Sequence, residues 1–406
     1  MWYNCQHRKG VAAMKIQKCI AIALLLLLTL TGCGGNREER EIAAEERRIR
    51  RRCAEIVSMY QALYDAAPKR EPESPWDAPE LPQQDIDTVE QAVIDRGLCV
   101  VDSSADSPEY LANSEKFYQF LDAVEQNENV SREVLRIRPS GALSYRLFSH
   151  RDGTTTLYSM TYSPDETVEP DYEVYRICET KLTEQGNFYY RIHPEDDHHY
   201  ANYTRLRLKQ PDKELWQQCA RYVLAGGYTG TNIFLSNWTE KDFSGLCFND
   251  VWEYLYRYQN GARFSPDGYT FDTDKNCYRI PAAEFEGVIL PFFQLSQENL
   301  RQLAGYDSES DSYPWRQIES NDYVFYLNYY TIEPEVTAFR NHSDGTVSIT
   351  VALLSTDLGV DCLFSHELTV RPQADGSFQF VGNRMLTQTE LGLPFCEPRL
   401  TWEIAG

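Results

Sequence analysis

Seven histidines, eleven cysteines and 61 acidic residues are the groups from which this chain could build chemistry. The densest cluster is His193, Glu195, Asp196, Asp197, His198 and His199, side chains that could ligate zinc or nickel. It lacks the helical His-Glu-x-x-His spacing that holds two imidazoles on one face, and Pro194 within the acidic run indicates a polar β-turn. Asp272, Asp274 and Asn276 match the first three ligand positions of a calcium loop. Cys277, however, stands where the sharp-turn glycine belongs and Ala283 where the bidentate glutamate belongs. Neither cluster reads as a metal site.

Gly226-Gly227-Tyr228-Thr229-Gly230-Thr231 is glycine-rich but has no Lys-Ser/Thr of a phosphate loop, and it follows a helix, so helix termination explains it better. No Gly-x-Ser-x-Gly elbow occurs, and no Ser-x-x-Lys is accompanied by Lys-Thr-Gly. His366 falls in an alternating strand and reads as a structural side chain rather than a general base. The acids are too numerous for spacing alone to choose a glycosidase pair. No cofactor is expected.

Setting aside Cys5, Cys19 and Cys33, the chain holds Cys53, Cys99, Cys178, Cys219, Cys247, Cys277, Cys362 and Cys396. None forms Cys-x-x-Cys, which argues against a zinc ribbon or thioredoxin-like centre. Outside the cell they could pair as disulfides, Cys53 being the least suited; in an anaerobic habitat they would serve as small buried apolar groups. Among 27 Tyr and seven Trp, the rings Trp238, Trp252, Trp315, Tyr326 and Tyr329 are the candidates for stacking on a ligand. The alternative is that they fill a β-rich core.

The 39 basic residues leave a net charge of −22, and 42% hydrophobic content is ordinary for a folded chain. Such acidity excludes non-specific nucleic-acid binding, which needs clustered positive charge. Ile20 to Leu30 is an apolar block about half the length of a ~20-residue membrane span. It follows Lys15 and Lys18 and ends in Leu30-Thr31-Gly32-Cys33. That string resembles the lipobox of bacterial lipoproteins. The resemblance implies cleavage before Cys33, a diacylglyceryl group on its sulfur, and residence on the outer face of the cytoplasmic membrane. Met14 is the more natural start, which makes 1–13 an extension and 14–32 the signal peptide.

Residues 33–67 read as a membrane-proximal stalk. Ile42, Ile49, Ile56 and Leu63 recur every seven residues along one amphipathic helix. Arg47, Arg48, Arg50, Arg51 and Arg52 crowd into one and a half turns of it, a candidate contact with anionic headgroups or with an acidic part of the same chain. Five prolines then mark 68–84 as a stiff spacer. The body divides into 85–210 and 211–406. The first has two helices, the second of them over Pro108–Gln126, and six alternating strands between 132 and 209, which belong to an antiparallel meander. The second has a helical segment followed by four strands, Glu335–Asn341, Thr346–Leu354, Cys362–Arg371 and Ser377–Leu386, joined in part by Asp-Gly hairpins.

The whole reads as α+β, an antiparallel β-meander domain followed by a helical segment and a curved four-stranded antiparallel sheet; the helices and that terminal sheet, within 211–406, resemble NTF2-like and cystatin-like modules. Phe364-Ser365-His366-Glu367-Leu368-Thr369-Val370-Arg371-Pro372 with Asp375-Gly376-Ser377-Phe378, and Ile280-Pro281-Ala282-Ala283-Glu284-Phe285-Glu286, resemble segments of uncharacterised Firmicutes lipoproteins. That likeness implies location and shape, and no chemistry. The sequence therefore leads to a membrane-anchored, non-enzymatic module whose partners are the bilayer and an envelope protein, peptide or glycan. The alternatives are a cell-wall or glycan hydrolase with a concealed carboxylate pair, and a spacer without a ligand.

Overall fold

The computed structural model describes residues 39–70, 79–104, 107–165, 169–193, 202–317, 331–387 and 398–400. Strands β1 (Val100–Asp102), β2 (Tyr110–Ala112), β3 (Val130–Ile137), β4 (Leu143–Arg151), β5 (Thr154–Tyr162), β6 (Asp171–Leu182), β7 (Asn187–Ile192) and β8 (Thr204–Arg207) form one sheet. Their order is β2-β1-β3-β4-β5-β6-β7-β8, so from β3 onward neighbours in space are neighbours in sequence. This is the antiparallel meander that the alternation predicts. The helix read over Pro108–Gln126 is shorter than expected. Its first residues form β2, Asn113 turns the chain at a positive φ of 56°, and the helix, α4, spans Glu115–Glu125.

The chain separates into two compact units, and the boundary near 211 is not where they part. One unit comprises Met1–Val100, Ser131–Ser149 and Leu157–Val174; the other comprises Val101–Val130, His150–Thr156 and Tyr175–Gly406. β7 and β8 thus belong with the C-terminal half.

In the first unit, helix α1 (39–58) is a core element and not a free stalk. Ile49, Cys53, Ile56 and Tyr60, at spacings of three and four, are all buried, whereas Ile42 and Leu63 of the heptad series are more than a third exposed. The buried line packs with Ile86, Val89 and Val93 of helix α3 (Gln83–Ile94) and with Leu135, Leu143 and Tyr145. α2 (Gln61–Ala66) carries Tyr64 into the same cluster. Gly141, at φ 80°, lets its backbone lie against the Tyr64 ring, where a Cβ would come within 2.6 Å, and its carbonyl accepts from Tyr60 Oη at 3.2 Å. The proline-rich spacer is closed at its base. The backbones of Arg70 and Glu80 bond reciprocally at 2.8 and 3.0 Å, and Leu81 is buried.

The second unit holds the terminal sheet: β13 (Ile332–Asn341), β14 (Val347–Ser355), β15 (Val360–Pro372), β16 (Phe378–Thr387) and the short β9 (Trp238–Thr239), in the order β13-β14-β15-β16-β9. The four long strands match the sequence reading, and register shifts such as Val336/Ala338 and Thr369/Val370 interrupt the ladder. β9 is a fifth member that the sequence pattern did not signal. A three-stranded sheet, β10 (Thr270–Asp272), β11 (Cys277–Pro281) and β12 (Ser312–Trp315), lies in the same unit. Helix α5 (Lys213–Gln218) is capped by Asp212, which accepts from the Glu214 and Leu215 amides. It runs into a π-helical turn, Cys219–Val223, closed by Leu224 N–H to the Cys219 carbonyl at 3.1 Å. α6 (Phe248–Asn260), α7 (Ala282–Ile289) and α8 (Gln297–Leu303) follow, with Ser296 capping α8 through the Asn299 amide. Glu286 of α7 accepts from Gln297 and Arg301 of α8 and from Tyr313 of β12, so this buried carboxylate is fully partnered.

Truncating a core position of α1 separates a docked helix from a free one. Ile56→Ala should destabilise the full chain by about 2–5 kcal/mol in urea denaturation, a loss that a solvated stalk would not show.

Candidate functional site: an ion-paired cleft beside an edge strand

β8 closes one side of the large sheet and β13 one side of the terminal sheet. Alternation along each strand places Arg205 and Arg207 on one face of β8, and Glu333 and Glu335 on one face of β13. They meet in two rungs. Arg205 Nη2 lies 2.5 Å from Glu333 Oε2, and Arg207 holds Glu335 through both amines at 2.8 and 3.2 Å. The guanidinium side chains are 11% and 8% exposed, so the arginines are the buried partners. Arg205 Nη1 and Arg207 Nε have no hydrogen-bond partner among the described residues.

These rungs floor a cleft of about 430 Å³, walled by Leu215 and Trp216 of α5, by Cys219 and Leu224, and by Pro108 and Val336. Pro334, between the two glutamates, is tolerated because β13 is an edge strand and needs no N–H there. Its carbonyl receives the Cys219 thiol at 3.6 Å. Burial pushes that thiol up to about 12, so it stays protonated and is not a nucleophile at neutral pH. The sequence reading missed this site. Arg-x-Arg and Glu-x-Glu in strands of matched alternation were its only trace, and Pro334 made the second strand seem to begin at Glu335.

The positions singled out from sequence fall elsewhere. Trp238, Trp252 and Trp315 are 3%, 0% and 0% exposed and sit in one aromatic core, so they present no ring to a ligand. The need to fill a β-rich interior accounts for them. Tyr326, Tyr329, Cys33 and Cys396 lie outside the described residues, as does the His193 cluster beyond His193 itself. Arg52 is docked on its own chain, bidentate to Glu133 at 3.0 Å, which also accepts from Tyr145. That takes it out of the headgroup set. Arg48 and Arg50 pair with Glu45 and Glu46 on the helix, leaving Arg47 and Arg51 exposed. Asp272 caps the hairpin between β10 and β11, accepting from the Asp274 and Lys275 amides and pairing with Arg279. Cys53, Cys99, Cys178, Cys219, Cys247, Cys277 and Cys362 are all free thiols. Gly226 and Gly227 permit close approach as well as ending a helix, since a Cβ on either would strike Phe234 or Tyr254.

His366 is wholly buried and engaged at both nitrogens. Asn383 Nδ2 donates to the Ser236 carbonyl, which turns its Oδ1 toward His366 Nδ1 at 2.6 Å; the proton is thereby assigned to Nδ1, and Nε2 accepts from Tyr228 Oη at 2.7 Å. Burial lowers its pKa to about 4. The carboxylates of α6, Asp250 buried and Glu253 partly so, are tied up as well. Arg399, 4% exposed, donates to Asp250 at 2.9 Å, to Glu253 at 3.2 Å and to the carbonyls of Arg316 and Asp250. Burial raises both acids against the pull of that guanidinium.

Residues 46–399 match the model of a family described as "Family of unknown function (DUF6070)". The chain belongs to that family. The DUF6070 match takes in the docked half of α1 as well as Arg399, so both ends of the matched region are parts of the fold. No curated protein and no solved structure gives a significant match.

Two substitutions test these networks. Arg399→Ala strands the buried Asp250 and unpairs the partly buried Glu253, and should cost about 3–5 kcal/mol, read as a fall in the urea midpoint. Because the folded pKa of His366 is depressed, its contribution is complete above the unfolded value near 6.5 and is lost as pH falls toward 4. The wild type minus His366→Gln difference in unfolding free energy should shrink by about 3 kcal/mol across that window.

Proposed function

We propose that this protein is a lipoprotein, anchored through a diacylglyceryl group on Cys33 to the outer face of a bacterial cytoplasmic membrane. Its folded body is a non-enzymatic binding module for an envelope protein, peptide or glycan. The cleft supports the binding role most directly. It has the volume of a ligand site, an aromatic and aliphatic wall in Trp216 and Leu215, and a floor whose charges are already matched. An acid-base catalyst needs a carboxylate free to exchange a proton, whereas of the four that line the cleft, Glu109, Asp212, Glu333 and Glu335, the last two each hold a guanidinium and Asp212 caps α5. A hydrolase would need two carboxylates facing one recess, and the desolvated pair Asp250 and Glu253 is bound up in Arg399.

The docking of α1 changes how such an anchor would hold the body. From Cys33 to residue 39 the chain can reach at most about 20 Å. The first unit therefore stays at the bilayer surface instead of standing off from it. The exposed Arg47 and Arg51 come within range of anionic headgroups, at about 1 kcal/mol each.

Mass spectrometry of the native product should find Cys33 as the amino terminus with a diacylglyceryl thioether. A free thiol, or residues 14–32 still attached, overturns the anchor. For the cleft, the full chain should bind soluble wall-glycan fragments or synthetic envelope peptides saturably in calorimetry. Trp216→Ala should weaken that binding by about 2 kcal/mol, close to thirtyfold; unchanged affinity removes the cleft from the reading.

A further inference from the structure

A second recess, of about 280 Å³, opens beside the C-terminal half of α6 and is lined by Glu253, Tyr254, Arg257, Arg263, Phe264 and Gln317. Its walls are fixed. The Tyr254 ring rests on Gly227, whose φ is 68° and where a Cβ would lie 2.1 Å from the ring, and its hydroxyl donates to the Thr229 carbonyl at 2.8 Å. Phe264 is locked edge-on against Trp252 and Trp315, each at 4.8 Å between centroids.

Its rim is basic, which is unusual in a chain with 61 acids and 39 bases. Arg257 and Arg263 are exposed, and neither has a carboxylate within ion-pair distance among the described residues. Arg263 acts on Glu253 only through its longer-range field. Glu253 already receives Arg399 at 3.2 Å, so the two rim guanidinium groups keep their donors for something else. Planar forks of this kind match a carboxylate or a phosphate. The partly buried Glu253 in the wall adds a negative field that opposes a dianion more than a monoanion. The small volume admits a single ring, and the aromatic walls offer apolar surface to one face of it, as sugar sites do. Gln317, also in the lining, carries an amide that is both donor and acceptor.

We propose that this recess binds a sugar acid of monosaccharide size, its carboxylate bridged by Arg257 and Arg263 and its ring against Tyr254 and Phe264. The site is separate from the cleft beside β13, so either can fail without the other.

The test is isothermal titration of the full chain with glucuronate, glucose and inorganic phosphate, repeated on the Arg257→Gln/Arg263→Gln double variant. Glucuronate should bind saturably, glucose at least about tenfold more weakly, and the double variant should lose glucuronate by at least about tenfold. Both arginines are exposed, so the melting temperature of the unliganded variant should match that of the wild type. Absence of saturation with glucuronate overturns the proposal, as does equal affinity for glucose or full retention in the variant. Phosphate binding as tight as glucuronate would assign the rim to phosphate groups and overturn the sugar-acid reading.

Discussion

The C-terminal unit is organised around one buried guanidinium. Asp250 is 1% exposed on α6, the helix that also carries Val251, Trp252 and Leu255 into the aromatic core. A carboxylate at such a depth is tolerable only with a partner that satisfies it, and Arg399 does so while spending its remaining donors on Glu253 and two carbonyls. The interaction is non-local, spanning 149 residues of sequence. It ties the chain at 398–400 to the middle of the unit, and it holds in place the acids that would otherwise be the best candidates for catalysis. In a protein of net charge −22, the scarce buried cations decide where negative charge can be placed.

Local signals were legible wherever the chemistry is local. The Asp-Gly turns at Asp344-Gly345 and Asp375-Gly376 do what their residues require: each aspartate accepts from the residue two positions on, and each glycine takes a positive φ. Ser296 caps its helix, and the period-two strands of the meander and the terminal sheet appear close to where alternation places them. What could not be read is which face meets which. The heptad in α1 is the same pattern whether the stripe meets solvent, a second helix or its own domain, and Ile49, Cys53 and Ile56 are settled only by the presence of α3 and the strands. The prolines of 68–84 indicate stiffness, yet stiffness says nothing about whether Arg70 and Glu80 come together.

The candidate site was hidden for a related reason. Arg205 and Arg207 in one strand, and Glu333 and Glu335 in another, are each an ordinary wet face until two edge strands separated by more than 120 residues are set side by side. The most conspicuous sequence features, the tryptophans, went to packing, because large rings are the most effective way to fill the interior of a β-rich unit. Chemistry-bearing residue types were therefore a poor guide, and the informative pattern was charge alternation.

The π-helical turn at Cys219–Val223 makes this segment a place where chain length can change at little cost. A wide turn of this kind holds one residue more than the α-helix it interrupts, and here it sits between the helix that walls the cleft and the chain that carries Tyr228 to His366. Each of its residues turns the chain by less than the ~100° of ordinary winding, so the extra residue is absorbed within the turn and the backbone beyond keeps its direction. Deleting that one residue would let the turn close to α-helical winding while Leu224 stays at the cleft and the Tyr228 hydroxyl stays near the imidazole.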